Sequence, residues 1–538
     1  MKNEKITRKE SLIFIAFLWV LFLCLNLRVS CEKVRKLNEG EKEEIDNSSI
    51  HKCVVIDAGS TGTRVYIYNY KISNNDKDMK IYIPAISYRT TPGLVYILND
   101  FFSNGEEKPF YDYINNIKSF IYNNVLEEER ETTFILLRAS GGFRLLSINK
   151  SEKYINFIKN YFLKNFNEFL LIDNFLIKVL SGKEEAILSF VSIYALLGKI
   201  SPNPLIFTDQ GKDNGKIRSV EESLGENIPL EQDDDSIGVL ELGGATAQII
   251  IKIPMSKMNE DILNLFNYQH KEKKKKGIIE ENYKNKNIVK IHFFDRDIYL
   301  YCKSYLVLGR QNAMKTYLHY IVHENSKKDY TKNKYMHVAC FPKDFKFYIN
   351  NLYETSIEED IQEYNDNTQL GEYEFVGIGT GDIDLCRTQI QNILTHAQID
   401  VLPFKLKKFI KLYGIENFHH FAIDILNLPE THNPILLNTN MYLEKAKELC
   451  PLTIDEIRKV VRPDSNIEKA QTSCFGLIFL YEFMRHTLGV DNPILFHSTN
   501  YINNTGITWT IAVLLMELPS HLDSIRKRKK ENPPHDEL

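Results

Sequence analysis

Two things are scarce in this 538-residue chain: cysteine, with eight residues, and net charge, with 67 Lys plus Arg against 71 Asp plus Glu for a formal −4. With no overall basic field, nucleic acid is a poor partner. No CxxC pair or Cys/His cluster with zinc spacing occurs, so structural bridges are preferred over a zinc site. Glycine (25) and proline (17) are too sparse for a collagen-like chain, and 43% hydrophobic with 26% charged residues excludes a wholly disordered one. Only one long apolar run is present, which excludes a membrane channel. What remains is ordinary globular material, enough for roughly two to four domains with a cleft between them.

The apolar run, residues 11–27 (SLIFIAFLWVLFLCLNL), follows Lys2, Lys5, Arg8 and Lys9 and precedes Arg28. It reads as a secretory targeting element whose positive flank stays cytoplasmic while everything downstream enters the lumen. Its length suits either a signal peptide cleaved near Ser30 or Cys31 or a retained N-terminal anchor, so residues 1–31 carry both options. At the other end, His535, Asp536, Glu537 and Leu538 spell HDEL on a polar tail (523–538), an address read by the endoplasmic reticulum retrieval receptor. The stretch 511–518 contains Glu517 and is too short to span a bilayer. The expectation is a protein of the endoplasmic reticulum lumen, soluble or held by one N-terminal helix. Disulfides are permitted there, and Asn47, Asn149 and Asn503 begin glycosylation acceptor sequences.

Residues 52–72 read as a β-hairpin: a buried strand (Val54 to Asp57), a glycine-bearing turn and an alternating strand (Arg64 to Tyr70). From Ile237, IGVLELGGATAQIIIKIP has the same grammar, and aligning Asp57 with Glu241 superposes strand, carboxylate, Gly/Ser/Thr turn and strand. Such turns offer backbone N–H groups to phosphate, with Ser60, Thr61 and Thr246 adding hydroxyls. Two turns, each with a carboxylate, suggest two domains closing on one polyphosphate while their acids hold a divalent cation. FILLRASGGFRLL (134–146) places another small-residue turn after a strand, with Arg144 beyond. VLSGKEEAILSF (179–190) starts a helix with Glu184 and Glu185 in its first turn. Acids there complement the helix dipole, but a carboxylate near a metal-bound phosphate is also the group that takes a proton from an attacking water.

These segments resemble the nucleoside triphosphate diphosphohydrolases, or apyrases. DAGSTGTR (57–64), ASGGFRLL (139–146), SGKEEAILSF (181–190) and ELGGATAQI (241–249) are similar to that family's first four conserved regions, in order and spacing, and weaker echoes extend the likeness over roughly residues 50–520. The resemblance implies an α/β, two-lobed actin/Hsp70/sugar-kinase-like (RNase H-like) fold with a nucleotide cleft between the lobes. Lobe I is expected at 50–181, completed by about 487–522, and lobe II at 182–486. It also implies direct attack of water on the terminal phosphate, with Glu185 as base, Gln248 positioning the water and Ser140 near it. Asp57 and Glu241 match the carboxylates of a site for Mg²⁺ or Ca²⁺. Ser60, Thr61, Gly62, Gly243, Gly244, Ala245 and Thr246 match the phosphate cradle. Cys340 with Cys386 and Cys450 with Cys474 match family disulfides, leaving Cys53 and Cys302 without assigned partners.

Departures from the family pattern include Glu241 for the usual Asp, Ser140 for Thr, Thr246 for Ser and Phe190 for the usual Trp; hydroxyls and charge are kept. A single apolar run with HDEL favours the endoplasmic reticulum members, so UDP and GDP are the expected substrates, with ADP and triphosphates behind them. The alternatives are a broad apyrase using ATP and ADP, or a luminal nucleotide-binding protein that has lost hydrolysis. An exopolyphosphatase or sugar kinase would share only the DxG turns. Residues 209–236, the basic patch 271–276, 321–337 and 351–370 read as mobile polar insertions.

Overall fold

The apolar run Cys53–Ala58 is buried at every position, as a strand covered on both faces requires. In the computed structural model it lies in strand β1 (His51–Ala58), inside a seven-stranded sheet. The structure describes residues 50–72, 79–171, 176–208, 217–218, 237–253, 279–280, 285–293, 296–326, 335–349, 375–397, 399, 401–402, 410–489 and 493–519. The targeting run, Asn47, the basic patch 271–276, the stretch 351–370 and the HDEL tail lie outside the described residues.

The first sheet has the order β5-β4-β1-β2-β3-β6-β7. Its remaining strands are β2 (Thr63–Ile72), β3 (Met79–Thr90), β4 (Phe134–Ala139), β5 (Ile177–Val179), β6 (Leu205–Thr208) and β7 (Ile217–Arg218). Amphipathic helices cover one face: Glu107–Asn124 buries Phe110, Tyr113, Ile114, Ile117 and Ile121, the three-and-four spacing of a single stripe. The helix Gly182–Leu196 instead buries every residue from Glu185 to Leu196, because it is enclosed all round. Ser192 Oγ accepts the Ala512 N–H at 3.0 Å, tying this helix to the helical residues 510–519.

The second sheet repeats the arrangement with eight strands, in the order β10 (Ile279–Glu280), β11 (Ile288–Phe293), β12, β9, β8, β16, β18 (Leu495–Ser498) and β17 (Ile435–Asn438). It is built on β8 (Ile237–Leu242) and β9 (Ala247–Lys252), flanked by β12 (Arg296–Tyr305) and by the parallel strand β16 (Lys411–Glu416). Its own apolar core includes Ile249, Ile251, Met314, Phe418, Phe475 and Phe479. That core encloses the disulfides Cys340–Cys386 and Cys450–Cys474, with Cα separations of 4.9 and 5.1 Å, as the resemblance implied. Cys53 and Cys302 are buried and take no part in either disulfide.

Several elements depart from the sequence reading. Strands β6 and β7 follow residue 181 yet pair into the first sheet, through β3 and each other, so the expected boundary at 181/182 is crossed by the chain. Strand β18 (Leu495–Ser498) pairs with β16 in the second sheet although 487–522 was expected to complete the first lobe; within that range it is residues 510–519 that return. Long-range parallel pairing leaves no local pattern that would have placed either segment. The expected insertion 321–337 is in part ordered structure, since Ile321–Ser326 ends the helix Arg310–Ser326 and strand β13 (Tyr335–Val338) begins inside it. Of the acceptor asparagines, Asn149 is exposed, whereas Asn503 donates from Nδ2 to the Leu196 carbonyl at 2.9 Å and is committed to the fold.

Two buried polar groups govern stability. Arg138 on β4 is 1% exposed, and its guanidinium donates to Glu517 Oε2 from Nε at 3.0 Å. Replacing Glu517 by Ala leaves a buried cation without its carboxylate and should cost about 3 kcal/mol in denaturant titration, whereas a surface Glu444→Ala change should stay within about 0.5 kcal/mol. His419 is 3% exposed, its Nδ1 lies 3.2 Å from Ser498 Oγ, and burial lowers its pKa from 6.5 to about 4. The unfolded chain therefore binds this proton more readily between those values, so stability falls as pH drops through 6.5 toward 4. The fall in urea midpoint between pH 7 and 5 should shrink in His419→Gln.

Candidate active site

The duplicated hairpins are equivalent residue by residue. In the first, Asp57 pairs with Arg64 and Ala58 with Thr63; in the second, Glu241 pairs with Gln248 and Leu242 with Ala247. Each carboxylate thus sits two residues before a four-residue turn, 59–62 or 243–246. Both turns line one cleft. They face each other closely: a Cβ placed on Gly244 would lie 2.9 Å from Thr61 Cγ2 and 3.4 Å from Ser60 Oγ.

The second turn is held from behind by the start of the helix Arg310–Ser326. The Arg310 N–H donates to Gly243 O at 2.9 Å, Gln311 N–H to Gly244 O at 3.0 Å, and Gly309 N–H to Ala245 O at 3.1 Å. With these carbonyls engaged at the back, the Gly244, Ala245 and Thr246 N–H groups are the turn's donors for an anion in front. Gly309 is required for this contact, since a Cβ there would come within 2.3 Å of the Ala245 and Thr246 backbone.

The acids at the turn entrances are short of partners. Asp57 is 4% exposed; its Oδ2 accepts from Arg64 at 3.4 Å, while Oδ1 is buried with no hydrogen-bond partner. Glu241 Oε2 is likewise buried and unpartnered. Burial raises the Asp57 carboxyl to about 7 despite Arg64, and raises Glu241 as well, reinforced by the negative charge of Glu185. Buried oxygens that resist ionisation and lack donors fit a hard divalent cation, which Asp57 and Glu241 would hold together with phosphate oxygens and water. Among the described residues no three His, Cys, Asp or Glu side chains form a direct ligand set.

Of the two acids in the SGKEE segment, Glu184 is structural. It forms a capping box with Ser181 and pairs with Lys178 at 2.8 Å. Glu185, one residue on, lines the cleft with Ser140, and its Oε2 accepts from Arg144 Nη2 at 2.7 Å. Arg144 also donates from Nη1 to Leu180 O at 2.8 Å, so it joins the ASGGFR and SGKEE segments and fixes Glu185. Ser60, Thr61, Gly243, Gly244, Ala245 and Thr246 line the same wall as Asp57 and Glu241. Two expected residues do not reach it. Gly62 is buried at the end of its turn, and Gln248 is wholly buried beside Glu241, with both side-chain amide atoms unpartnered. A water could satisfy Gln248 there.

Sequence reasoning left Arg64, Tyr66, Ser189, Ile415, Glu416 and Ile507–Trp509 unassigned, yet all line the cleft. Ser189 had a legible signal, lying one helical turn after Glu185. For Ile415, Glu416 and Trp509 no local signal exists, because separate crossovers bring them in. If the acids hold a cation, Mg²⁺ or Ca²⁺ at a hundredfold excess over its dissociation constant should stabilise the protein by about 2.7 kcal/mol. That rise in thermal midpoint should vanish in Asp57→Asn without any nucleotide present.

Comparison with known proteins adds independent support. The profile of the GDA1/CD39 (nucleoside phosphatase) family matches residues 43–527. Nucleoside-diphosphatase mig-23 of Caenorhabditis elegans is 22% identical over 489 residues, covering 86% of this chain and 76% of its own. Ectonucleoside triphosphate diphosphohydrolase 4 of Homo sapiens is 20% identical over 507 residues, covering 89% and 75%. Among solved structures, the fold is similar to that of nucleoside triphosphate hydrolases from Neospora caninum, with a TM-score of 0.53, 13% identity, and coverage of 93% of this chain and 97% of that one. Two sheets built on duplicated hairpins are the two-lobed actin-like architecture expected from the motifs. The chain belongs to the GDA1/CD39 (nucleoside phosphatase) family and is a hydrolase of nucleoside phosphates.

Proposed function

We propose that the chain is a cation-dependent nucleoside diphosphatase, acting on UDP and GDP ahead of triphosphates, by direct attack of water. The observation that carries this reading is the convergence of Asp57, Glu241 and Glu185 with both glycine-bearing turns on one cleft. The turn N–H groups with Ser60, Thr61 and Thr246 bind the phosphates, while Asp57 and Glu241 hold the ion. A bound divalent cation neutralises phosphate charge and orients the terminal group. Glu185, steadied by Arg144, takes a proton from a water that Ser140, on the same cleft wall, helps place. The water oxygen bonds to the terminal phosphorus as the bridging P–O bond breaks, giving orthophosphate and the shorter nucleotide. No covalent enzyme intermediate is needed, and positioning supplies most of the catalysis.

The preference for diphosphates is supported by the likeness to nucleoside-diphosphatase mig-23 of Caenorhabditis elegans. A place in the endoplasmic reticulum lumen rests on the targeting run 11–27 and the HDEL motif at 535–538, both outside the described residues. In that compartment the activity would remove nucleoside diphosphates left by glycosyl transfer, and the retrieval receptor would be a partner. Among the described residues no helix is long and apolar enough to cross a membrane. The two lobes of this reading are the first-sheet body with residues 510–519, and the body built on the second sheet.

Phosphate release from UDP, GDP, ADP and their triphosphates, with Mg²⁺, Ca²⁺ or EDTA, tests this directly. Turnover of UDP and GDP should exceed that of UTP and GTP, stop with EDTA, and fall about 10²- to 10⁴-fold in Glu185→Ala. Equal use of triphosphates would replace the diphosphatase by a broad apyrase. Nucleotide binding without turnover would leave only a binding protein. The Arg144→Met variant should lower kcat more than it raises KM, since Arg144 reaches Glu185 and not the turns.

A further inference from the structure

One charged side chain in the cleft has no part in the reaction above. Glu416 is the last residue of β16, whose register with β8 sets Ile415 beside Glu241 and Glu416 beside Leu242. Successive side chains of a strand point to opposite faces, yet Ile415 and Glu416 both line the cleft. The alternation is broken by the backbone of Glu416 itself, at φ 58° and ψ −119°, where residues other than glycine are seldom found. Its N–H donates to Asn500 Oδ1 at 2.7 Å, and the neighbouring Asn417 donates from Nδ2 to Leu242 O at 2.7 Å and Gly243 O at 3.3 Å. Neither anchor uses the Glu416 carboxylate. A glycine would keep both bonds and relieve the strain, so the backbone does not call for a glutamate here; the carboxylate instead faces the positive charges of Arg64 and Arg89 and lies beside His420.

The Glu416 side chain is 36% exposed, with Oε2 3.8 Å from His420 Nε2. Its charge reaches Asp57, Glu241, Arg64 and Arg89. Beside it, Asp57 keeps Oδ1 buried and unpartnered at 4% exposure. We propose that Glu416 is a positioning residue for the cleft's cation, its carboxylate accepting hydrogen bonds from the water shell of the ion held by Asp57 and Glu241. The interaction passes through water, because no three acids among the described residues close on one point. Outer-shell carboxylates of this kind set the orientation and affinity of a hydrated ion. The proposal rests on the cation-dependent reading of the cleft, and it explains why a strained backbone is kept at this strand end.

The test measures Ca²⁺ and Mn²⁺ binding by calorimetry, without nucleotide, on the full chain, Glu416→Gln and Glu416→Gly, together with the thermal midpoint in EDTA. Both variants should bind the ions about tenfold more weakly. Glu416→Gly should meanwhile match or exceed the wild-type midpoint in EDTA, because its backbone is relaxed at positive φ. Unchanged ion affinity in a folded variant overturns the proposal alone. A lowered midpoint for Glu416→Gly in EDTA also overturns it, assigning the side chain to the fold. A wild-type chain that binds neither ion removes the proposal together with the reading beneath it.

Discussion

The structure depends on one electrostatic constraint: two carboxylates, buried Asp57 and half-buried Glu241, face the same cleft, each with one buried oxygen that no protein donor satisfies. Leaving such groups unpaired costs free energy in the isolated protein, and Arg64 offsets only part of it for Asp57. The arrangement persists because each acid is fixed by a hairpin register inside a fully packed sheet. Rigid strands hold the acids where flexible loops would let them turn toward water. In the proposed reading, the same rigidity would present both acids to a divalent cation, whose positive charge would offset theirs.

The turns that follow the acids are built on a related principle. A backbone segment binds phosphate well when its carbonyls are occupied elsewhere, so that only N–H groups remain to face the ligand. The start of the helix Arg310–Ser326 does this for Gly243–Ala245, and Gly309 permits the approach. Arg310 is itself held by Glu468 at 2.7 Å, which ties the turn to the packed interior of the second lobe. On the other side, Arg144 clamps Glu185 to the strand end at Leu180, so the candidate base cannot swing away from the cleft. Buried helices, a backed turn and a clamped acid convert ordinary packing into electrostatic preorganisation.

Much of this was legible in the residues. Strand, turn and strand could be read from CVVIDAGSTGTRVYIY and again from IGVLELGGATAQIII, because burial on both faces leaves continuous apolar runs and glycine-bearing turns interrupt them. Glu184 and Glu185 looked alike in sequence. A one-residue difference on a helix turns side chains by about 100°, so one became a cap and the other faced the cleft. Gln248 was expected to position the water but is wholly buried and does not line the cleft, and Gly62, expected in the phosphate cradle, is buried at the end of its turn.

By itself the sequence determined the duplicated hairpins, the acids that end them and the family, because each is written in a local pattern of residue types. Only the tertiary structure decided that Leu205–Thr208 joins the first sheet, that residues 510–519 bring Glu517 to Arg138, and that Glu416 turns into the cleft. Those outcomes follow from parallel pairing across hundreds of residues and from one unusual backbone angle. Neither leaves a periodicity that a chain can display before it folds.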